Sequence, residues 1–412
     1  MKDEDAPAAA GKPTFWRRLR HQLWQPPRPH GEQPRERAVG PLELFYDLVV
    51  VALVAQAAHH LAEHLTWRGI GEYSAVFVLV WIAWLNGSLH HELHGHEDVR
   101  ARVTFLLQIL VMVPLGAFIP GAGGAEGAAF AVAAGVLFAV LALLWLLASL
   151  RDRPEYRRSS RLYVIGTAVC AAVLIVSAVL PAAARVWTWG VLAAAYLACF
   201  AAVVLKAAPV ALAALSVTHA LIERFGLLII IVLGETVTGV VSGLAAEPVD
   251  ALTLTVGLIA VVVGFGAWWT YFDFAGHREP RRTPAATVQW MLTHLPLTAA
   301  VAAMGAAMVS LVEHAHDPST APATAWVLCG GAAVVLISTV LVSATLQAWR
   351  TRQGLYRPLS RTCAAAALAC LALGAARPAP PVLALILVLI FGIPWGLAVA
   401  YRLRHEETVA QE

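Results

Sequence analysis

The chain has 412 residues, 59% of them hydrophobic and only 13% charged, with a formal net charge of +3. Soluble domains carry roughly 25% charged residues, so the composition is that of a membrane protein. The small, dispersed positive charge gives no ground for a nucleic-acid partner.

The first 40 residues hold Arg17, Arg18, Arg20, Arg28, Arg35 and Arg37 with Pro26, Pro27, Pro29 and Pro34. This reads as a basic, Pro-rich cytosolic tail over 1–40, disordered apart from a short interfacial helix around 15–24. No cleavable signal peptide is read there. A span needs about 20 residues, and breaks at charged, Gly and Pro residues divide the remainder into about twelve helices. They are expected near 42–62, 73–92, 102–120, 126–150, 162–181, 187–207, 211–244, 251–275, 287–312, 324–349, 360–376 and 381–403. Only Lys206 and Pro209 mark the turn between the sixth and the seventh.

The arginines test this layout. Alternate loops carry Arg100 and Arg102, then five arginines from Arg151 to Arg161, then Arg278, Arg281 and Arg282, then four from Arg350 to Arg361. The loops between them hold only Arg68, Arg185 and Arg377 as cations. By the positive-inside rule both termini are cytosolic and the span count is even. The expected fold is therefore an all-α polytopic membrane protein. A six-helix half over 41–208 is followed by a second over 209–404, and a cytosolic tail over 405–412 ends the chain.

The two halves share a pattern. Glu43-Leu-Phe45-Tyr-Asp47 opens the first span, and Glu223-Arg224-Phe225 lies in the seventh, 180 positions later (223 minus 43). Both helices would cross in the same direction, as in a parallel duplication. Trp81, Trp84 and Asn86 correspond loosely to Trp268, Trp269, Thr270 and Asp273, and Gln108 to His294.

Ionisable groups in a membrane helix are costly and need a partner or a purpose. Glu43 and Asp47 are four apart and share one helix face, so a proton or a cation is expected between them. Arg224 is the candidate cation, beside Glu223. This set reads as a cytosolic gate or as a structural ion-pair network, with Asp273 pairing Arg278 or Arg224. Glu235, in Leu233-Gly234-Glu235-Thr236, lies twelve residues beyond Glu223, about 18 Å deeper at 1.5 Å per residue. It is the proposed proton or ion site, the alternative being a protonated Glu bonded to a carbonyl. Gly234 is expected to admit a neighbouring backbone. Gln56, Asn86, Gln108, Trp269 and His294 are cavity-lining candidates, His294 because Pro296 follows it.

Among the fifteen histidines two clusters stand out. His59, His60 and His64 lie at the end of the first span and His90 and His94 at the end of the second. The i, i+4 pairs are able to place two imidazoles on one metal, although solvated loop histidines give the same pattern. The five cysteines lack CxxC spacing and read as core thiols. No cofactor is implied, and no motif of a soluble enzyme class stands in a convincing context.

These motifs resemble the bacterial low temperature requirement A (LtrA) family. The carrying residues are Pro41-Leu-Glu43-Leu-Phe45-Tyr-Asp47-Leu-Val49, Glu223-Arg224-Phe225-Gly-Leu227, Leu233-Gly-Glu235, Trp268-Trp-Thr-Tyr-Phe-Asp273 and His294-Leu-Pro-Leu297, in order over about 41–300. One departure is His90-His-Glu-Leu-His94-Gly-His96, where the family often has a Tyr/Asp-rich stretch. The resemblance implies an integral membrane protein named for a growth phenotype and not for a reaction. The leading expectation is a secondary transporter or permease of an unidentified small molecule or ion in the bacterial inner membrane. The alternatives are an intramembrane enzyme on a lipid-linked substrate and a non-transporting sensor or scaffold. The lipid bilayer is the one partner composition assigns; no oligomeric state is read.

Overall fold

The structure is a computed structural model that describes residues 24–30, 32, 37–206, 217–246 and 250–409. Thirteen helices and no strand occur among the described residues. The first six are α1 (Pro41–Glu63), α2 (Trp67–His94), α3 (Val99–Ala117), α4 (Gly127–Ser149), α5 (Arg157–Ser177) and α6 (Ala182–Leu205). Then come α7 (His219–Ala246), α8 (Ala251–Phe274), α9 (Pro284–Glu313) and α10 (Pro322–Ser343). The short α11 (Ala348–Thr351) precedes α12 (Gln353–Ala376) and α13 (Pro380–Val409). All except α11 are long and apolar enough to cross a membrane, which gives twelve candidate spans. The protein is an all-α polytopic membrane protein.

Local chemistry sets the helix ends. Pro41 occupies the first turn of α1, where its missing N–H costs nothing, and the Glu43 carboxylate accepts the Gly40 N–H at 3.0 Å. Asp98 caps α3 through the Ala101 N–H and Thr283 caps α9 through the Ala286 N–H. Helix α2 begins six residues before the expected 73. Thr66 accepts the Gly69 N–H, and Arg68 pairs with Glu72 one turn on, so a polar first turn is stable. Helix α10 ends at Ser343 instead of 349. There the Thr345 carbonyl accepts the Arg281 N–H at 2.8 Å and Ser343 Oγ donates to the Phe274 carbonyl, so the chain turns to pair with the α8–α9 loop. The expected start of the seventh span at 211 lies outside the described residues, as does all of the interfacial helix expected around 15–24 except residue 24.

Most helix neighbours of the first six spans have counterparts among the last six. In the first, α1 packs on α2 and α3, α2 on α4 and α6, α3 on α4, α4 on α5, and α5 on α6. The second has the corresponding neighbours, α7 with α8 and α9, α8 with α10 and α13, α9 with α10, α10 with α12, and α12 with α13, and it adds a packing of α8 on α9 that α2 and α3 do not match. Between the halves, α1 meets α7 and α9, while α9 also reaches α2 and α6. Lipid offers no hydrophobic drive for helices to associate, so close packing through small residues does much of the work. At α7–α9 a Cβ on Gly239 would lie 2.1 Å from the Gly305 carbonyl oxygen. A Cβ on Gly305 would lie 2.7 Å from the Glu235 carbonyl oxygen. Gly234, expected to be the close-approach glycine, has open space where a Cβ would go. It lies on the outward face of α7, while Gly239 lies on the inward one.

The start of α1, the end of α2, the α4–α5 turn and the start of α7 gather at one end of the bundle, where residues 24–30 and 37–40 contact them. Arg28 N–H donates to the His94 carbonyl, His30 N–H to Asp152, and Val39 N–H to Glu223. Much of this tail segment, assigned to solvent by composition, is in contact with the helices.

Candidate functional site

At that end the chain builds a charged cluster that is almost entirely buried. Arg224, on α7, is 1% exposed and Asp47, on α1, is 0% exposed. Arg224 Nη2 donates to Asp47 Oδ1 at 2.5 Å and Nε to Oδ2 at 3.1 Å, a bidentate grip, and Nη1 reaches Glu43 Oε1 at 3.4 Å. Arg224 therefore sits between the two carboxylates that share a face of α1. Trp84 Nε1 donates to Asp47 Oδ1 at 2.8 Å from α2.

Arg37, just before α1, extends the network. It donates to both oxygens of Glu43, at 2.6 and 2.9 Å, and to Glu92 near the end of α2. Thr218 Oγ1 donates to the other Glu92 oxygen at 2.7 Å, and His91 Nε2 stands 3.8 Å from Glu43. Burial works to lower the Arg37 pKa, but the Glu43 and Glu92 carboxylates outweigh it and hold the guanidinium charged. Every carboxylate oxygen of Glu43, Asp47 and Glu92 has a donor, which is what keeps such a cluster tolerable in low dielectric.

Glu223 stands apart from Arg224. Neighbours on a helix point about 100° apart, so with Arg224 inward Glu223 is exposed and accepts the Val39 N–H at 3.3 Å. Asp273 accepts from Trp269 Nε1 at 3.0 Å within α8, and Arg278 binds the Asp273 main-chain carbonyl at 2.7 Å. Trp269 stacks edgewise on Trp395 at 5.0 Å. His294 is 0% exposed; Tyr271 Oη is 2.9 Å from its Nε2, and its Nδ1 donates to the Trp290 carbonyl at 2.6 Å. Asn86 accepts from Tyr196 and donates to the Ile82 carbonyl; Gln108 accepts from Tyr46 and donates to the Thr104 carbonyl. These three polar residues are paired inside the bundle.

Glu235 has a different setting. It is half-buried on the wall of a cleft of about 310 Å³ between α1, α7 and α9. Gln56 and His59 of α1 and Thr238 and Ser242 of α7 line the cleft with it, over an apolar floor that includes Gly305 and Val309. It lies eleven residues past Arg224 on α7, about 16 Å along the axis. The ion cluster thus closes one end of the α1–α7 seam, and the cleft occupies its other half.

The histidines divide between the two ends. His60, Glu63 and His64 have ligand atoms within 4.8 Å of one another at the partly exposed end of α1. His59 is 3.4 Å from Glu63, and His316 pairs with Asp250 at 2.7 Å. At the opposite end His94 meets His30 and Asp152 with the same spacing, all three buried, while His90 packs against Trp145.

Sequence reasoning missed Trp84, Thr218, Arg37 and Glu92 as members of the cluster. Glu92 carried a usable signal, being an acid between histidines at the end of a helix whose middle is apolar. Thr218 carried none.

Residues 38–392 match the family described as bacterial low temperature requirement A protein (LtrA). No curated protein and no solved structure matches the chain. The match covers far more than half of the sequence and includes α1, Arg224 with its partners Asp47 and Glu43, and the Glu235 cleft, so this multi-pass membrane protein belongs to the LtrA family.

Proposed function

We propose that the protein is a secondary transporter of a small solute or ion, with Glu235 as its proton or cation site. The carrying observation is the cleft of about 310 Å³ that holds Glu235 beside Gln56, Thr238 and Ser242. Its volume is near the lower end for a small-molecule site, and an intramembrane carboxylate facing such a space is a default ion or proton ligand. By the positive-inside rule the arginine-rich end is cytosolic. The Arg224–Asp47–Glu43 cluster then acts as the cytosolic gate, closed in this conformation, with the cleft facing outward. Loading of Glu235 by a proton or a cation biases the exchange between outward and inward states.

The matched helix neighbours support a six-plus-six duplication, the architecture in which one half rocks against the other about a central site. Arg224 bridges the halves, so opening inward requires its release from Asp47.

The test is reconstitution in liposomes with an entrapped pH indicator, under an imposed pH gradient and a panel of small polar solutes. Solute-dependent proton movement is expected from the wild type and is lost in Glu235→Gln, with the variant's elution profile and melting temperature retained. Unchanged movement and pH dependence in Glu235→Gln removes Glu235 from the mechanism.

A further inference from the structure

Three side chains far apart in sequence converge where the tail meets the helices. His30 of the tail is 2% exposed, His94 at the end of α2 is 1% exposed, and Asp152 of the α4–α5 turn is 3% exposed. One ligand atom from each lies within 4.8 Å of the other two. Among the described residues, neither ring nitrogen of His30 has a hydrogen-bond partner, and neither does His94 Nε2. Buried imidazole nitrogens are ordinarily paired, so three unpaired ones at one point need an explanation.

The surrounding contacts supply it. His94 Nδ1 is 2.7 Å from the Arg28 carbonyl, an acceptor only, so Nδ1 carries the proton and Nε2 presents its lone pair to the cluster. A metal-bound histidine is oriented in this way, with its other ring N–H on a carbonyl. The Asp152 carboxylate is held by the His30 N–H at 2.9 Å on Oδ1 and by Ser160 Oγ on Oδ2, and each oxygen keeps a further lone pair. Tyr156 stacks on the His30 ring at 4.6 Å and fixes its plane.

We infer that His30, His94 and Asp152 form a binding site for a borderline divalent transition metal of the Zn²⁺ class. Two imidazoles and one carboxylate suit that class, and three protein ligands leave one position of a tetrahedral ion for water. Tetrahedral ligands at about 2.0–2.2 Å from the metal stand closer together than 4.8 Å, so the side chains contract slightly on binding. The ion draws residue 30 onto the end of α2 and the α4–α5 turn, beside Arg28 and Arg100, and so staples the tail to the arginine-rich end. His30 precedes the family-matched residues 38–392, so the site depends on a part of the chain outside that match. It is also independent of the Glu235 cleft, which lies toward the other end of the bundle.

The experiment uses the full chain freed of any affinity tag, stripped of metal and titrated with Zn²⁺ alone, then with Co²⁺ as a spectroscopic substitute. Expected are one tight equivalent per chain, the visible absorption of tetrahedral Co²⁺, and slowed hydrogen exchange at the Gln25, Arg28 and His30 amides. His30→Ala and Asp152→Asn lose the tight equivalent and the Co²⁺ band. Ser160→Ala weakens binding by about tenfold or more. The His60→Ala/His64→Ala double variant leaves all three signals intact. His30 lies outside every helix, so its variant is checked for an unchanged melting temperature without metal. No tight equivalent in the wild type, binding unaffected by His30→Ala and Asp152→Asn, or binding abolished by the His60/His64 double variant overturns the site.

Discussion

Arg224 and Asp47, 177 residues apart in sequence, are joined by two hydrogen bonds of 2.5 and 3.1 Å where neither side chain is more than 1% exposed. Removing one member of a buried, fully bonded pair leaves the other charge stranded, at a cost of about 3–5 kcal/mol. Arg224→Met is expected to lose that much stability in nanodiscs, measured by denaturant or thermal unfolding. Arg224→Met/Asp47→Leu should lose less than the single variant, because no charge is then left alone. Arg224→Lys keeps the charge without the fork and should fall between. A loss under about 1 kcal/mol in Arg224→Met would mean that water relieves the stranded carboxylate, and the cluster would not then be a seal.

Gly305 controls the wall on which Glu235 stands. A Cβ there meets the Glu235 carbonyl at 2.7 Å, so Gly305→Ala must part α7 and α9, at a cost of about 1–3 kcal/mol for an overpacked contact. The cleft should widen with it. In a Cys199→Ser background, Glu235→Cys is expected to react faster with a polar thiol reagent when Gly305→Ala is present. Equal rates would show that the two helices accommodate the methyl without moving the wall. Gly234→Ala, with open space at its Cβ, serves as the silent control.

Arg37 links two carboxylates, Glu43 and Glu92, from α1 and α2. Its side chain is 14% exposed, so water compensates in part for its loss, and Arg37→Ala should cost about 1.5–3 kcal/mol, the range for a hydrogen bond to a charged group. The effect should be local. Hydrogen exchange at the Val39 and Gly40 amides is expected to accelerate, while the amides of α7 around Arg224 change little. Acceleration spreading through α7 would show that Arg37 and Arg224 stand or fall together.

The span count, the helix type and the charged residues of α1 and α7 were legible because they rest on local properties: apolar length, arginine alternation and the cost of burying charge. Orientation around the helix axis was not. Glu43 and Glu223 occupy matched positions, yet Glu43 is 2% exposed while Glu223 points outward to the tail. Phe45 is 54% exposed and Phe225 is 0% exposed. Nor does hydropathy report which polar group meets which. His294, Asn86 and Gln108 are met within the bundle by Tyr271, Tyr196 and Tyr46, pairings that no hydropathy pattern announces. The docked tail was invisible for a similar reason, since Arg- and Pro-rich composition describes an isolated segment and not one whose charges meet buried acids.

Asp250 gives a pH prediction at the opposite end of the bundle. It caps α8 by accepting the Leu252 and Thr253 N–H groups and the Thr253 hydroxyl, and His316 Nε2 lies 2.7 Å away. The Thr253 backbone bond, then its hydroxyl, then His316, hold the carboxyl down at about 2, against about 3.9 in an unfolded chain. The folded state therefore prefers the ionised form. Its contribution is fully present above about pH 3.9 and is lost as pH falls through about 2. The melting-temperature gap between wild type and Asp250→Ala should be constant from about pH 7 to 5 and should close between about 4 and 2. His316→Ala should keep most of that gap, because Thr253 supplies the larger share of the stabilisation. A gap that instead closes near pH 6.5, the ordinary histidine range, would make the His316 ion pair and not the Thr253 cap the source of the effect.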